Sequence, residues 1–143
     1  MGNEKLAMPN RRQFLGVAAA SLLPTGLEAQ TPAPARPVVE LARHALTGPL
    51  EAFEVVLVEL NSPPGGSSGP GHRHPGPVLG YVVEGQARFA INNEPVQVLP
   101  AGSTFFEPTG VVHSSGGSAK ADAPARVLAF MVVPRGSPLT APA

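Results

Sequence analysis

The chain has 143 residues, a length that points to one domain, and its ten basic and ten acidic side chains leave it formally neutral. With no basic stripe and no polybasic cluster, the charge pattern excludes nucleic acid and an anionic membrane surface as electrostatic partners. Cysteine is absent, which excludes disulfides, thiolate metal sites and cysteine nucleophiles, while 16 glycines and 18 prolines favour many short elements over long helices.

The first segment with a readable role is NRRQFLGVAAASLL, residues 10–23. An arginine pair precedes an apolar run of ten residues, FLGVAAASLL. A membrane-spanning helix needs about 20 such residues, so this run fits the core of a signal peptide instead. Arg11-Arg12-Gln13-Phe14-Leu15 resembles the twin-arginine export signal, with Asn10 and Gly16 departing at its edges. Residues 1–29 are therefore expected to be a cleaved leader, with cleavage near Ala29 and a periplasmic or secreted destination. No integral span is expected after cleavage. AQTPAPARP follows, and its Pro/Ala content predicts a stiff, extended linker over residues 30–37.

From residue 38 onward the pattern is strand, turn, strand. Residues 38–46 read as a strand or a single amphipathic turn. AFEVVLVEL (52–60), LGYVVEG (79–85), QARFAIN (86–92), PVQVL (95–99), STFFEP (103–108), VVHS (111–114) and ARVLAFMVVP (125–134) read as strands. Gly/Pro/Ser/Asn turns separate them, and no stretch sustains apolar spacing at the helical period. Short strands with frequent turns predict an all-β fold: a small antiparallel double-sheet barrel of the jelly-roll kind over residues 38–143.

Two clusters carry chemistry. His72 and His74 are two apart, so in a strand they project to the same side. Pointing inward, they offer two imidazoles to a cation; pointing outward, they are ordinary solvated residues. His113 ends PTGVVH, where Gly110 permits a tight turn and Val111-Val112 opens a strand. A barrel can bring that strand opposite the first pair.

These residues resemble the cupin family, whose first motif is G-x5-H-x-H-x(3,4)-E-x6-G and whose second is G-x(5,7)-P-x-G-x2-H-x3-N. His72-Arg73-His74 and Gly85 match the first, and Gly102 with PTGVVH matches the second. The resemblance runs from about residue 50 to 133. Two positions depart from it: the first-motif Glu falls on Val78, and the second-motif Asn falls on Gly117. Glu107 is the nearest acid, but FFEP is expected to set it on the rim, and Gln97 is a weaker substitute.

The resemblance implies a divalent transition metal (Fe, Ni, Mn, Zn or Cu) held by His72, His74 and His113. Without a carboxylate, the ion would keep extra positive charge. That favours anionic or chelating ligands, and imidazole-preferring ions over hard Mn²⁺. Within the family, three-histidine iron sites occur in dioxygenases, so a dioxygenase-like enzyme acting on a small diketone, phenolic or acid is one implied function. A second is a non-enzymatic small-molecule-binding barrel with a degenerate or metal-free pocket, and a third is a structural dimer with a relic site. A homodimer is the expected assembly in each case. The loop 61–71 reads as a lid or mouth, or as a solvated hairpin loop. His44 reads as exposed, and Arg73 and Arg88 as solvated, with Arg73 able to meet an anion at the mouth. Tyr81, Phe89, Phe105 and Phe106 read as packing residues.

Overall fold

The computed structural model describes residues 37–143. The expected leader and nearly all of the linker lie outside them. In chain order the strands are β1 (Val38–Ala45), β2 (Phe53–Ser62), β3 (His72–Arg73), β4 (Val78–Glu84), β5 (Gln86–Ile91), β6 (Gln97–Pro100), β7 (Thr104–Glu107), β8 (Val112–Ser115), β9 (Ala125–Pro134) and β10 (Ala141–Pro142). One short 3-10 turn, Gly48–Leu50, links β1 to β2. The ambiguous segment 38–46 is thus a strand, held along β2 from Val38↔Leu60 to Ala45↔Glu54. The two-residue strand β10 lies outside the strands expected above, while β3 sets the first of the paired histidines on a strand.

The strands form two antiparallel five-stranded sheets, ordered β1-β2-β9-β4-β7 and β10-β3-β8-β5-β6. This is the expected all-β, double-sheet architecture. Period-two alternation explains it locally. In β9, Ala125, Val127, Ala129, Met131 and Val133 are buried, while the residues between them are more open. Val56 and Val58 of β2 and Val78 of β4 pack with Ala129, Met131 and Val133. Each fully buried valine contributes about 1.5 kcal/mol or more. A second cluster joins Val82 and Val127 of the first sheet to Ala87 of the other, with Leu99 and Phe105 against them, so the sheets share one interior.

Gly85 alone connects β4 to β5 and carries the chain from one sheet to the other at a φ of +74°. A Cβ there would lie 2.2 Å from the Pro124 carbonyl oxygen, so both conformation and space call for glycine. This glycine closes the first histidine motif, and the corner it makes brings that motif's strand against the rest of the barrel.

Candidate functional site

The two histidine motifs meet because β3 and β8 are neighbours. His72 and His113 are direct cross-strand partners. His74, two residues beyond His72, keeps to the same side. Ring centroids are 5.0 Å apart for His72–His74, 5.1 Å for His72–His113 and 6.3 Å for His74–His113. One nitrogen from each ring lies within 4.8 Å of the other two. The three sequence-predicted residues are therefore brought together at one place.

Each ring is anchored through one of its nitrogens. Nδ1 of His72 donates to the Pro70 carbonyl at 3.2 Å, Nδ1 of His74 to Leu139 at 2.7 Å, and Nε2 of His113 to Ser115 at 2.8 Å. A carbonyl only accepts, so the bonded nitrogen carries the hydrogen and the other presents a lone pair. Backbone anchoring of this kind orients imidazoles for a cation. Burial lowers the pKa of His74; the Leu139 bond opposes that shift and repulsion from His72 adds to it. Burial, followed by repulsion from His72, takes His113 down to about 4. Both rings are thus held neutral, the form that can ligate.

Glu107 corrects an expectation. It is not on the rim: it is 1% exposed, and burial pushes its carboxyl up to about 7. Its Oε1 lies 3.6 Å from Nδ1 of His113 and its Oε2 3.8 Å from Nε2 of His74. Oε2 has no hydrogen-bond partner. The cause is strand parity. Phe105 turns inward and stacks on Phe89 with centroids 4.4 Å apart, so Glu107, two residues on, points the same way. Phe106 is then 56% exposed, which corrects its reading as a packing residue. FFEP gives no sign of which phenylalanine faces in. The useful signal was the pairing of β7 with β4, where Val78 and Glu107 are register partners. Gln97 is exposed on β6 and supplies nothing to the site.

The remaining expectations divide. His44 is exposed, as expected, whereas Tyr81 is 46% exposed, which corrects its reading as a packing residue in the same way as for Phe106. Arg73 is exposed, and its guanidinium donates to the Gly110 carbonyl. Arg88 is not simply solvated: it is half-buried, and its Nη2 donates to the Gly66 carbonyl at 2.6 Å, holding the 61–71 loop. Gly117, where the family Asn would stand, has a φ of +97°, and a Cβ there would sit 2.2 Å from the Gly66 oxygen. The close approach of that loop therefore excludes any side chain at 117.

Histidines and glutamate open into one cavity of about 780 Å³. Its walls are largely aliphatic: Val58, Leu60, Val127, Ala129, Met131 and Leu139. The loop from Ser62 to Gly71 borders it, as does the segment 139–143, whose strand β10 pairs with β3. That volume suits a small organic ligand. Three oriented lone pairs beside an orphaned buried carboxylate oxygen fit a divalent cation, and both nitrogen and oxygen donors are of the types such ions take.

Comparison with known proteins agrees with this construction. The Cupin domain family (Cupin_2) matches residues 58–133, a stretch containing all three histidines and Glu107. No curated protein matches the chain. Among solved structures, an uncharacterized protein with a double-stranded β-helix domain from Klebsiella pneumoniae is 26% identical with a TM-score of 0.51, over 61% of this chain and 72% of that one. A cupin-like protein from Thermotoga maritima is 24% identical with a TM-score of 0.50, over 66% of this chain and 65% of that one. A chain from a study of DMSP lyases is 23% identical with a TM-score of 0.52, over 74% of this chain and 51% of that one. Neither of the last two is matched over two thirds of its length, and both likenesses are of fold. The chain is a member of the cupin family.

Proposed function

We propose that this cupin binds one divalent transition ion through His72, His74 and His113 and uses it to act on a small chelating molecule held in the aliphatic cavity. The observation that carries this reading is the set of three imidazoles, each with one nitrogen tied to a backbone carbonyl, which bring one nitrogen apiece within 4.8 Å of one another. An ion there would act as a Lewis acid toward a ligand oxygen. The chain's own residues do the rest. The carbonyls of Pro70, Leu139 and Ser115 fix the rings, and the aliphatic walls exclude water from the ligand's apolar part. A diketone, phenolic or acid substrate, and dioxygenase-like chemistry, suit an apolar chamber with one polar end. Elemental analysis of the untagged protein after metal loading tests the reading. It expects about one ion per chain, and no metal under any loading regime would defeat it.

The second reading is a binding module without turnover, which the enclosing cavity supports equally. Metal-dependent oxygen consumption with a diketone or phenol would exclude it; ligand-induced stabilisation without consumption would favour it.

Export and assembly belong to the same proposal. The arginine pair at 11–12 supports twin-arginine export to the periplasm, with a leader over 1–29 and a linker over 30–37 ahead of the domain at 38–143. Changing Arg11 and Arg12 to lysine should leave the protein in the cytoplasm. For assembly, Phe106, Leu79 and Phe130 are register neighbours across β7, β4 and β9, and they are 56%, 52% and 45% exposed. Such an apolar row supports a homodimer through this sheet face. Light scattering of Phe106→Ser/Phe130→Ser should then give a monomer.

A further inference from the structure

The first-motif carboxylate of the family is missing from this chain's sequence, yet its place in space is taken. Val78 stands at the motif position and is buried among apolar neighbours. Its partner across the sheet is Glu107. A step from β4 to β7 moves the side chain by one strand spacing, about 4.8 Å, within the reach of a glutamate.

The contacts of Glu107 are those of a ligand rather than of a hydrogen-bonded acid. Its oxygens face Nδ1 of His113 at 3.6 Å and Nε2 of His74 at 3.8 Å. Both gaps exceed a hydrogen bond, whose upper range is about 3.2 Å. Both nitrogens present lone pairs, because their ring partners already donate to Ser115 and Leu139. Whenever the carboxyl is ionised, lone pairs therefore face lone pairs, an arrangement that favours a cation between them. Donors arranged tetrahedrally at about 2.0–2.1 Å from one ion stand ~3.3–3.4 Å apart, close to the observed gaps.

We propose that Glu107 is the carboxylate ligand of this metal centre, delivered from β7 in place of the motif residue lost at Val78. The inference rests on the three-histidine reading above and adds the fourth donor. It also reverses an expectation from the sequence. With Glu107 ligating, the bound ion keeps one unit less positive charge, and the site gains an oxygen donor that suits harder ions such as Mn²⁺ and Fe²⁺.

The test is calorimetric titration of the chelator-stripped full chain with Mn²⁺ and with Zn²⁺. Wild type, Glu107→Gln and the swap Val78→Glu/Glu107→Val are compared, with the melting temperature of each metal-free protein recorded. Wild type should bind one ion per chain. Glu107→Gln should lose at least about 100-fold for Mn²⁺ and less, about tenfold, for imidazole-preferring Zn²⁺. The swap, which returns the carboxylate to the neighbouring strand, should recover Mn²⁺ affinity to within about tenfold of wild type. The same loss without recovery still supports Glu107 if the melting temperature of metal-free Glu107→Gln is unchanged. If that temperature falls, the loss belongs to packing and the proposal is overturned. Wild-type affinity for both ions in Glu107→Gln overturns it too and leaves the three-histidine reading standing. Wild type that binds neither ion removes both.

Discussion

Among the described residues two glutamates are buried, and they are buried for opposite reasons. Glu54, on β2, is 6% exposed. The Arg43 guanidinium bonds its Oε1, and the Gly136 backbone N–H donates to the same oxygen at 3.2 Å. Its charge is matched, and it ties β1 and the turn after β9 to β2. Glu107 is buried more deeply, has no cation of the protein beside it, and keeps one oxygen without a partner. A carboxylate that only holds strands together has its partners in place. One that leaves lone pairs unmet in a cavity beside three oriented imidazoles is arranged for something the chain does not itself supply.

The largest effect should separate the two buried glutamates and their surroundings. His113→Ala or His72→Ala should lower metal affinity by at least about 100-fold in a titration, whereas Glu54→Gln should leave it within about twofold. Equal losses from all three would break the contrast.

Next in size is the stability of the metal-free protein. Glu107→Leu removes an unpaired buried polar group and should raise the free energy of urea unfolding by about 1–3 kcal/mol. Glu54→Gln leaves Arg43 and Gly136 without their carboxylate and should lower the melting temperature. A shift of the same sign in both variants would refute the distinction.

A smaller effect concerns the segment beyond β9. Leu139 supplies the carbonyl that holds His74, so deleting residues 139–143 should weaken metal binding by about tenfold while leaving the Arg43 and Gly136 contacts of Glu54 in place. An unchanged affinity would show that His74 orients itself without that bond.

The subtlest expectation is in pH. Burial raises Glu107 from an ordinary 4.5 to about 7, so the unfolded chain holds fewer protons in that window. Stability of the metal-free protein due to this group is full below 4.5 and is lost as pH rises through about 7. His113 runs the other way: lowered from 6.5 to about 4, its contribution is present above 6.5 and lost as pH falls toward 4. The two slopes oppose each other in wild type. The difference in unfolding free energy between Glu107→Leu and wild type isolates Glu107. It should widen from pH 4.5 to about 7 and stay flat above, and a pH-independent difference would contradict the burial of a titrating carboxyl.

Much of this molecule was legible in the residues, for a local reason. The β-branched and aliphatic runs ARVLAFMVVP and AFEVVLVEL mark strands within a residue or two of β9 and β2, because such side chains fit a pleated, half-buried surface. The pair His72 and His74, and His113 after its glycine turn, could be singled out because their spacing is itself a geometric statement. What could not be read was which neighbour each strand acquires. The parity of β7 is open in the sequence, because either adjacent phenylalanine can face in, and only the packing of Phe105 on Phe89 turns Glu107 inward from the expected rim. Arg88 reads as solvated in the sequence because nothing local shows the 61–71 loop meeting its guanidinium.

Sequence alone therefore determined the strand-and-turn character and the spacing of the three histidines, which are short-range features, and its motifs pointed to the family by resemblance. Tertiary structure decided that a glutamate from another strand stands across from Val78, and that the Leu139 carbonyl steadies His74. Those contacts join residues distant along the chain, and they exist only once strand register is set by closure of the whole barrel.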